Sequence, residues 1–209
     1  MTDQDVGQKT NGLHSLLSLP LFYNLVQLAF KDAKTERHFD DLVGTFENKS
    51  ILDIGCGLGI DSVKYKLAAS YTGLDLSQTY IDHAQKTYGS YGAFYCCSID
   101  DIKKFSFGKF DIVLLKGVLH HLTDDQIEGF FLDIKEYLNP KGRVVSVDPT
   151  FCEGQSLASR FFISQDRGKN VKSIEEAKQF ASGHFGFMEF IHTKQIFPPY
   201  DRVLFKGVV

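Results

Sequence analysis

Ser50-Ile51-Leu52-Asp53-Ile54-Gly55-Cys56-Gly57-Leu58-Gly59-Ile60-Asp61 decides how this chain folds. Apolar residues lead up to Asp53, glycines follow at 55, 57 and 59, and a segment of helical pattern over 58–67 succeeds them. That order predicts a buried strand, a tight glycine turn and a helix start. Glycine suits such a turn because the backbone visits φ > 0, and because backbone without Cβ atoms lets a ligand come close. The helix N-terminus then directs free N–H groups into the crevice beyond the strand.

Outward from this stretch, strands and helices alternate. Strands are predicted at 50–54, 70–75, 93–97, 110–115, 142–147, 187–193 and 201–207, with helices at 58–67, 77–88, 123–138 and 173–182. Thr123 with Gln126 and Ser173 with Glu176 form capping boxes at two helix starts. The alternation predicts an α/β fold: a doubly wound, mostly parallel, seven-stranded sheet with helices on both faces. The last two strands have no helix between them, so the final strand is expected to run antiparallel. Residues 1–12 read as a frayed polar tail and 13–47 as an N-terminal helical lid. Residues 48–209 are the main domain, with an insertion at about 149–172 on the carboxyl side of the sheet. The apolar stripes of 13–47 suit covering one sheet edge, the usual role of such stripes, ahead of closing the crevice, with Tyr23 facing a ligand in the second case.

Composition narrows the function. The chain has 209 residues, 43% apolar and 23% charged, which fits one globular domain. A net charge of −3 disfavours nucleic acid as a partner. No stretch approaches the roughly 20 apolar residues of a membrane span, and the polar, acidic N-terminus is unlike a signal peptide. The four cysteines, Cys56, Cys96, Cys97 and Cys152, have neither zinc-ligand nor disulfide spacing. Free thiols in a reducing cytoplasm, with no metal, are expected, and the chain is expected to be a monomer or homodimer.

Three details sort the ligands that a strand–glycine–helix opening can take. The spacing is Gly-x-Gly-x-Gly rather than the dinucleotide Gly-x-Gly-x-x-Gly. Asp53 precedes the glycines, where a carboxylate repels a pyrophosphate and welcomes an amino group. Asp75 ends the second strand in Gly73-Leu74-Asp75-Leu76-Ser77, where it can accept from ribose hydroxyls.

With Phe110-Asp111-Ile112-Val113, Val118-Leu119-His120-His121-Leu122 and Pro140-Lys141-Gly142-Arg143-Val144, these motifs resemble class I S-adenosylmethionine-dependent methyltransferases over about residues 48–148. The resemblance implies the Rossmann-like methyltransferase fold and S-adenosylmethionine as cofactor. It implies that Gly55 and Gly57 admit the methionine part, Asp53 orients its amino group, Asp75 holds the ribose and Leu76 packs on adenine. Ser98 stands where the family usually has an Asp for the adenine amino group. Ser98 or the displaced Asp100 can take that contact, with the backbone of Ile99 at the ring edge. Leu115 and Lys116 fall beside the reacting sulfur. The segment Asp166-Arg167-Gly168-Lys169-Asn170-Val171 resembles one found in a bacterial methyltransferase subgroup.

Methyl transfer to an O or N nucleophile needs a base only if the acceptor arrives protonated. His120, next to His121 at the mouth of the fourth strand, is the expected base; a histidine that caps a helix or lines the cofactor is the alternative. Asp148 is a second base or an acceptor-orienting group. Arg160 and Arg167 can clamp an anionic small-molecule acceptor, such as a sugar phosphate or nucleotide sugar, or pair with a neighbour such as Asp166. A nicotinamide-dependent oxidoreductase and a non-catalytic cofactor-binding module are the competing readings.

Overall fold

The computed structural model describes residues 32–105, 107–166 and 168–209, with the side chain of Asp100 left aside. Its backbone follows the predicted alternation. Helix α1 (Ala33–Val43) precedes β1 (Ser50–Ile54), β2 (Ser70–Asp75), α2 (Gln78–Tyr88), β3 (Ala93–Cys96), β4 (Phe110–Lys116) and α3 (Asp124–Ile134). Then come β5 (Leu138–Phe151), α4 (Leu157–Ser164), β6 (Lys172–Ser173), α5 (Ile174–Ala181), β7 (Phe187–Gln195) and β8 (Tyr200–Val208).

The sheet order is β3-β2-β1-β4-β5-β8-β7. β1, β2, β3, β4 and β5 pair in parallel, while β8 runs antiparallel to both β5 and β7. An eighth strand, the two-residue β6, pairs with the end of β5 and adds to the seven expected. The central strands β1 and β4 are mostly apolar because both faces are covered. In β4, Val113 and Leu115 join Leu52, Phe130 and Ile134 on one face, whereas Ile112 and Leu114 join Phe39, Ile51 and Ile81 on the other. Asp111 plays a structural part: its carboxylate accepts from the Ser50 N–H at 2.9 Å and from the Asn139 amide at 3.2 Å, tying β1 and β4 to the β5 entry.

Two segments depart from the sequence reading. The stretch 58–67 forms only a short 3₁₀ turn, Ile60–Val63, followed by further turns, rather than a full helix. Ser62 and Tyr65 are buried there while Ile60, Val63 and Leu67 stay exposed, so the segment lacks the continuous apolar stripe that supports an amphipathic helix. The insertion contains helix α4, started by the Ser156 side chain accepting from the Ser159 N–H at 3.1 Å.

Of the expected N-terminal lid, residues 13–31 lie outside the described residues. The described helix α1 buries Phe39, Leu42 and Val43 in the core. It is fixed at its start by the Thr35 Oγ1–Thr193 Oγ1 bond at 2.9 Å, and at its end by Arg143, which donates to the carbonyls of Val43 and Thr45 at 2.6 Å each. This helix covers a sheet face and also brings Glu36 to the end of β4.

Candidate active site

Parallel strands end on one side of the sheet, and the loops after β1, β2, β4 and β5 meet there. At the β1 end, Gly55 and Gly57 have φ of +75° and +55°. A Cβ on Gly55 would lie 2.6 Å from Val118 Cγ2, so that position is also sterically closed to other residues. A Cβ on Gly57 would meet nothing within 4 Å, so its backbone faces open space. Asp75 holds this loop in place: its Oδ2 accepts from the Gly57 N–H at 2.9 Å and its Oδ1 from the Ser77 N–H at 2.8 Å.

Asp53 is buried under the same loop and accepts a hydrogen bond from the Tyr71 hydroxyl. Desolvation, reinforced by Asp61, raises its pKa to about 7 against the bond from Tyr71 and the charge of Lys116. Lys116 at the end of β4 bridges Asp61 at 2.9 Å and Glu36 at 3.2 Å, and lies 4.7 Å from the centre of the Phe39 ring. Leu115 is fully buried, so at this position only the backbone can face a ligand. Leu76 is 54% exposed at the lip of the crevice. Ser98 caps the 3₁₀ turn Ile99–Lys104 by accepting from the Asp101 N–H at 3.2 Å, and Ile99 packs against the core. Tyr23 and Arg167, and the side chain of Asp100, lie outside the described residues.

The residues around His120 form a second cluster. His120 is 5% exposed on a 3₁₀ turn after β4. Its Nδ1 lies 2.8 Å from Asp148 Oδ1, and its Nε2 lies 3.2 Å from Asp166 Oδ1. Asp166 Oδ2 in turn accepts a 2.5 Å bond from the Tyr200 hydroxyl. Desolvation opposes a charge on His120, but bonds and attraction from Asp148 and Asp166 outweigh it and raise its pKa to about 9. The same partner, with Tyr200 and the Gly168 N–H, holds Asp166 well below the usual carboxylate range despite its burial.

Of the two readings of His120, a general base or a histidine lining the site, this environment bears on the first. Both ring nitrogens are engaged by carboxylates, and the imidazolium is the form they favour. The His121 ring lies against it, tilted by 38°, with ring centroids 4.1 Å apart. Asp148 is 6% exposed and spends Oδ1 on the His120 ring and backbone N–H, while its buried Oδ2 has no hydrogen-bond partner among the described residues.

Asp166, Gly168 and Asn170 all contact this histidine. Asp166 binds its ring, and the Asn170 N–H donates to its carbonyl at 3.0 Å. A Cβ on Gly168 would lie 2.0 Å from His120 Cδ2. Arg160, expected as an acceptor clamp, is exposed and lies 5.4 Å from the centre of the Phe151 ring. Sequence reading missed Tyr200 and Arg202. Arg202 stacks over Tyr200 at 4.6 Å and donates to Gln195 at 2.9 Å. They lie in an antiparallel strand distant in sequence, and only its pairing with β5 brings them to the site.

The buried histidine gives the fold a pH signature. An unfolded histidine titrates near 6.5, below the value of about 9 here. Its stabilising contribution is therefore complete below about pH 6.5 and disappears as pH rises through 9. The difference corresponds to about 3 kcal/mol. Urea unfolding at pH 6.5, 8 and 9.5 is expected to show stability falling across that window; a flat profile would show that His120 is neutral in the fold.

Comparison with known proteins agrees with this geometry. Residues 51–142 match the family model described as "Methyltransferase domain". That segment, somewhat less than half of the chain, is thus similar in sequence to a methyltransferase domain. Among curated proteins, the chain is 30% identical over 124 residues to N-terminal Xaa-Pro-Lys N-methyltransferase 2 of Danio rerio, covering 54% of this chain and 43% of that protein. The chain thus spans half or less of the length of the curated relatives it matches.

Among solved structures, the N-methyltransferase NodS from Bradyrhizobium japonicum WM9 in complex with S-adenosyl-L-homocysteine aligns with a TM-score of 0.65 at 19% identity, covering 87% of this chain and 90% of that one. Magnesium protoporphyrin IX methyltransferase from Synechocystis PCC 6803 with bound S-adenosylhomocysteine gives 0.64 at 16% identity, covering 89% and 93%. At these identities the likeness is one of fold.

Proposed function

We propose that the chain transfers a methyl group from S-adenosylmethionine to an N or O atom of a small-molecule acceptor. The observation that carries this reading is the pairing of buried Asp53 with a Gly57 loop that Asp75 holds open. This donor set fits the cofactor. Asp53 receives the α-amino group, the Gly55 and Gly57 backbone admits the methionine chain, and Asp75 takes the ribose hydroxyls beside its two backbone bonds. Leu76 packs on adenine, Ser98 and Ile99 close that end, and Leu115 and Lys116 line the donor side. Bound there, the cofactor supplies an electrophilic methyl on a sulfonium. The chain's own residues exclude water and hold the acceptor in line.

His120 acts as a positioning imidazolium in this reading. Asp148 and Asp166 fix it, and through Asp166, Gly168 and Asn170 it fastens the insertion over the acceptor side. The carboxylates of Asp148 and Asp166 and the Tyr200 hydroxyl are the groups suited to orient an acceptor. That arrangement favours a nucleophile arriving as an amine, and the likeness to N-methyltransferases supports the same choice. Four free cysteines support a reducing, cytoplasmic setting, and none of the described helices is long and apolar enough to cross a membrane.

The test is a product mass increase of one methyl across amines, sugar nucleotides and an Xaa-Pro-Lys peptide. Modification of the peptide alone would overturn the small-molecule assignment, and binding of NAD in preference to S-adenosylhomocysteine would overturn the methyltransferase reading. Asp53 adds a pH dependence. Free, it titrates at about 7, while an ammonium ligand favours its ionised form. Affinity for S-adenosylhomocysteine is thus expected to fall by up to about tenfold per pH unit below 7. Calorimetry with Asp53→Asn should show this dependence removed; an unchanged pH slope would place the amino group elsewhere.

A further inference from the structure

Beyond the carboxyl end of β5, three chemically different metal-ligand side chains converge. Cys152 follows the end of β5, His192 lies on β7 and Asp201 on β8. In the β7–β8 ladder His192 faces Val203 and Asp201 faces Lys194, so His192 and Asp201 are diagonal neighbours on one face of the sheet. Cys152 Sγ lies 3.5 Å from His192 Nε2 and 3.8 Å from Asp201 Oδ1, and His192 Nε2 lies 2.9 Å from Asp201 Oδ1.

We propose that Cys152, His192 and Asp201 form a binding site for a zinc-class divalent ion that ties the start of the insertion to the β7–β8 edge. The spacing of the donors supports this. Zinc bonds of about 2.3 Å to sulfur, 2.0–2.1 Å to nitrogen and 2.0–2.2 Å to oxygen, at tetrahedral angles, separate the donor atoms by about 3.3–3.6 Å. The three observed separations bracket that range, so small side-chain adjustments admit the ion. A mixed thiolate, imidazole and carboxylate set suits zinc and cobalt, whereas magnesium and calcium prefer oxygen ligands alone.

A cysteine nucleophile with a His–Asp relay is a poorer fit. In such a relay the imidazole bridges its partners through opposite nitrogens, whereas here Cys152 and Asp201 both approach Nε2. The outer shell is also in place. The Ser159 hydroxyl donates to Asp201 Oδ2 at 2.6 Å, leaving Oδ1 for the ion. Asp201 is buried while His192 reaches solvent, which provides an entry path and a water for the fourth position.

Proton balance follows from the ligand states. The Cys152 thiol gives up one proton to solvent as its sulfur binds the ion. His192 keeps its single proton but carries it on Nδ1, freeing the Nε2 lone pair. The spacing of 152, 192 and 201 along the chain hides this set from sequence reading; β-sheet pairing brings the three together.

Cobalt(II) titration of the full chain tests the proposal. One equivalent is expected to give a near-ultraviolet thiolate-to-cobalt band and intense visible bands of a four-coordinate site, both erased by zinc. Cys152→Ser should lose the near-ultraviolet band and Cys96→Ser should keep it. His192→Gln, at an exposed position, provides an arm least exposed to folding failure: zinc should raise the melting temperature of the wild-type chain but not of this variant. Absence of a saturable band in the wild-type chain, its survival in Cys152→Ser, or equal zinc stabilisation of His192→Gln would overturn the assignment.

Discussion

Asp148→Ala is expected to destabilise the fold by about 3–5 kcal/mol, the cost of stripping one partner from a buried ion pair. The His120 imidazolium is 5% exposed, and the Nδ1 bond to Asp148 at 2.8 Å is the shorter of its two carboxylate contacts. Removing it leaves a buried cation held only by Asp166 at 3.2 Å, with Leu119, Phe131 and Phe180 around the cavity that His120 and Asp148 line. For a domain of this size the loss corresponds to a melting temperature lower by about 10 °C. Asp166→Ala should cost less, because Asp166 is 26% exposed where Asp148 is 8% exposed by side chain, and water can replace part of its bond. Calorimetric melting of both variants checks the order. Equal, small shifts would show that His120 is not charged in the fold. A methyl-transfer loss in Asp166→Ala larger than its stability loss would support the proposed hold of the insertion over the acceptor side.

Asp75→Ala is expected to weaken binding of S-adenosylhomocysteine by about 1.5–3 kcal/mol, roughly ten- to hundredfold, the worth of hydrogen bonds to a charged group. Two effects act together. The variant removes the carboxylate proposed to take the ribose hydroxyls, and it also frees the Gly57 N–H that Asp75 Oδ2 holds at 2.9 Å. Gly57 has a left-handed φ that few other residues accept, so its loop depends on that bond for its shape. Asp75→Asn keeps an oxygen acceptor but loses the charge, and should fall between the two. Isothermal titration of the three chains provides the check; wild-type affinity in Asp75→Ala would place the ribose elsewhere.

Much of the strand–turn geometry on which the proposed donor side rests was legible in the sequence because it is local. Strand, turn and carboxylate occur within Ser50 to Asp61, and the second carboxylate ends the next strand, so residue order alone sets their relation. The same locality failed at 58–67, where glycine and apolar residues suggested a helix and the chain forms a 3₁₀ turn. Burying Ser62 and Tyr65 against the sheet outweighs the weak preference of so short a segment for an α-helix.

The sequence by itself determined the layered α/β architecture and the antiparallel last strand, since each follows from periodicity or from neighbours in the chain. Tertiary structure alone decided the state of His120. A histidine has an ordinary pKa until burial and two carboxylates act on it, and those come from the end of β5 and from the insertion 46 residues away. It likewise decided that Tyr200 meets Asp166 and that Cys152, His192 and Asp201 converge. These contacts join strands adjacent in the sheet but remote in the chain, and only hydrogen-bonded strand pairing fixes their register.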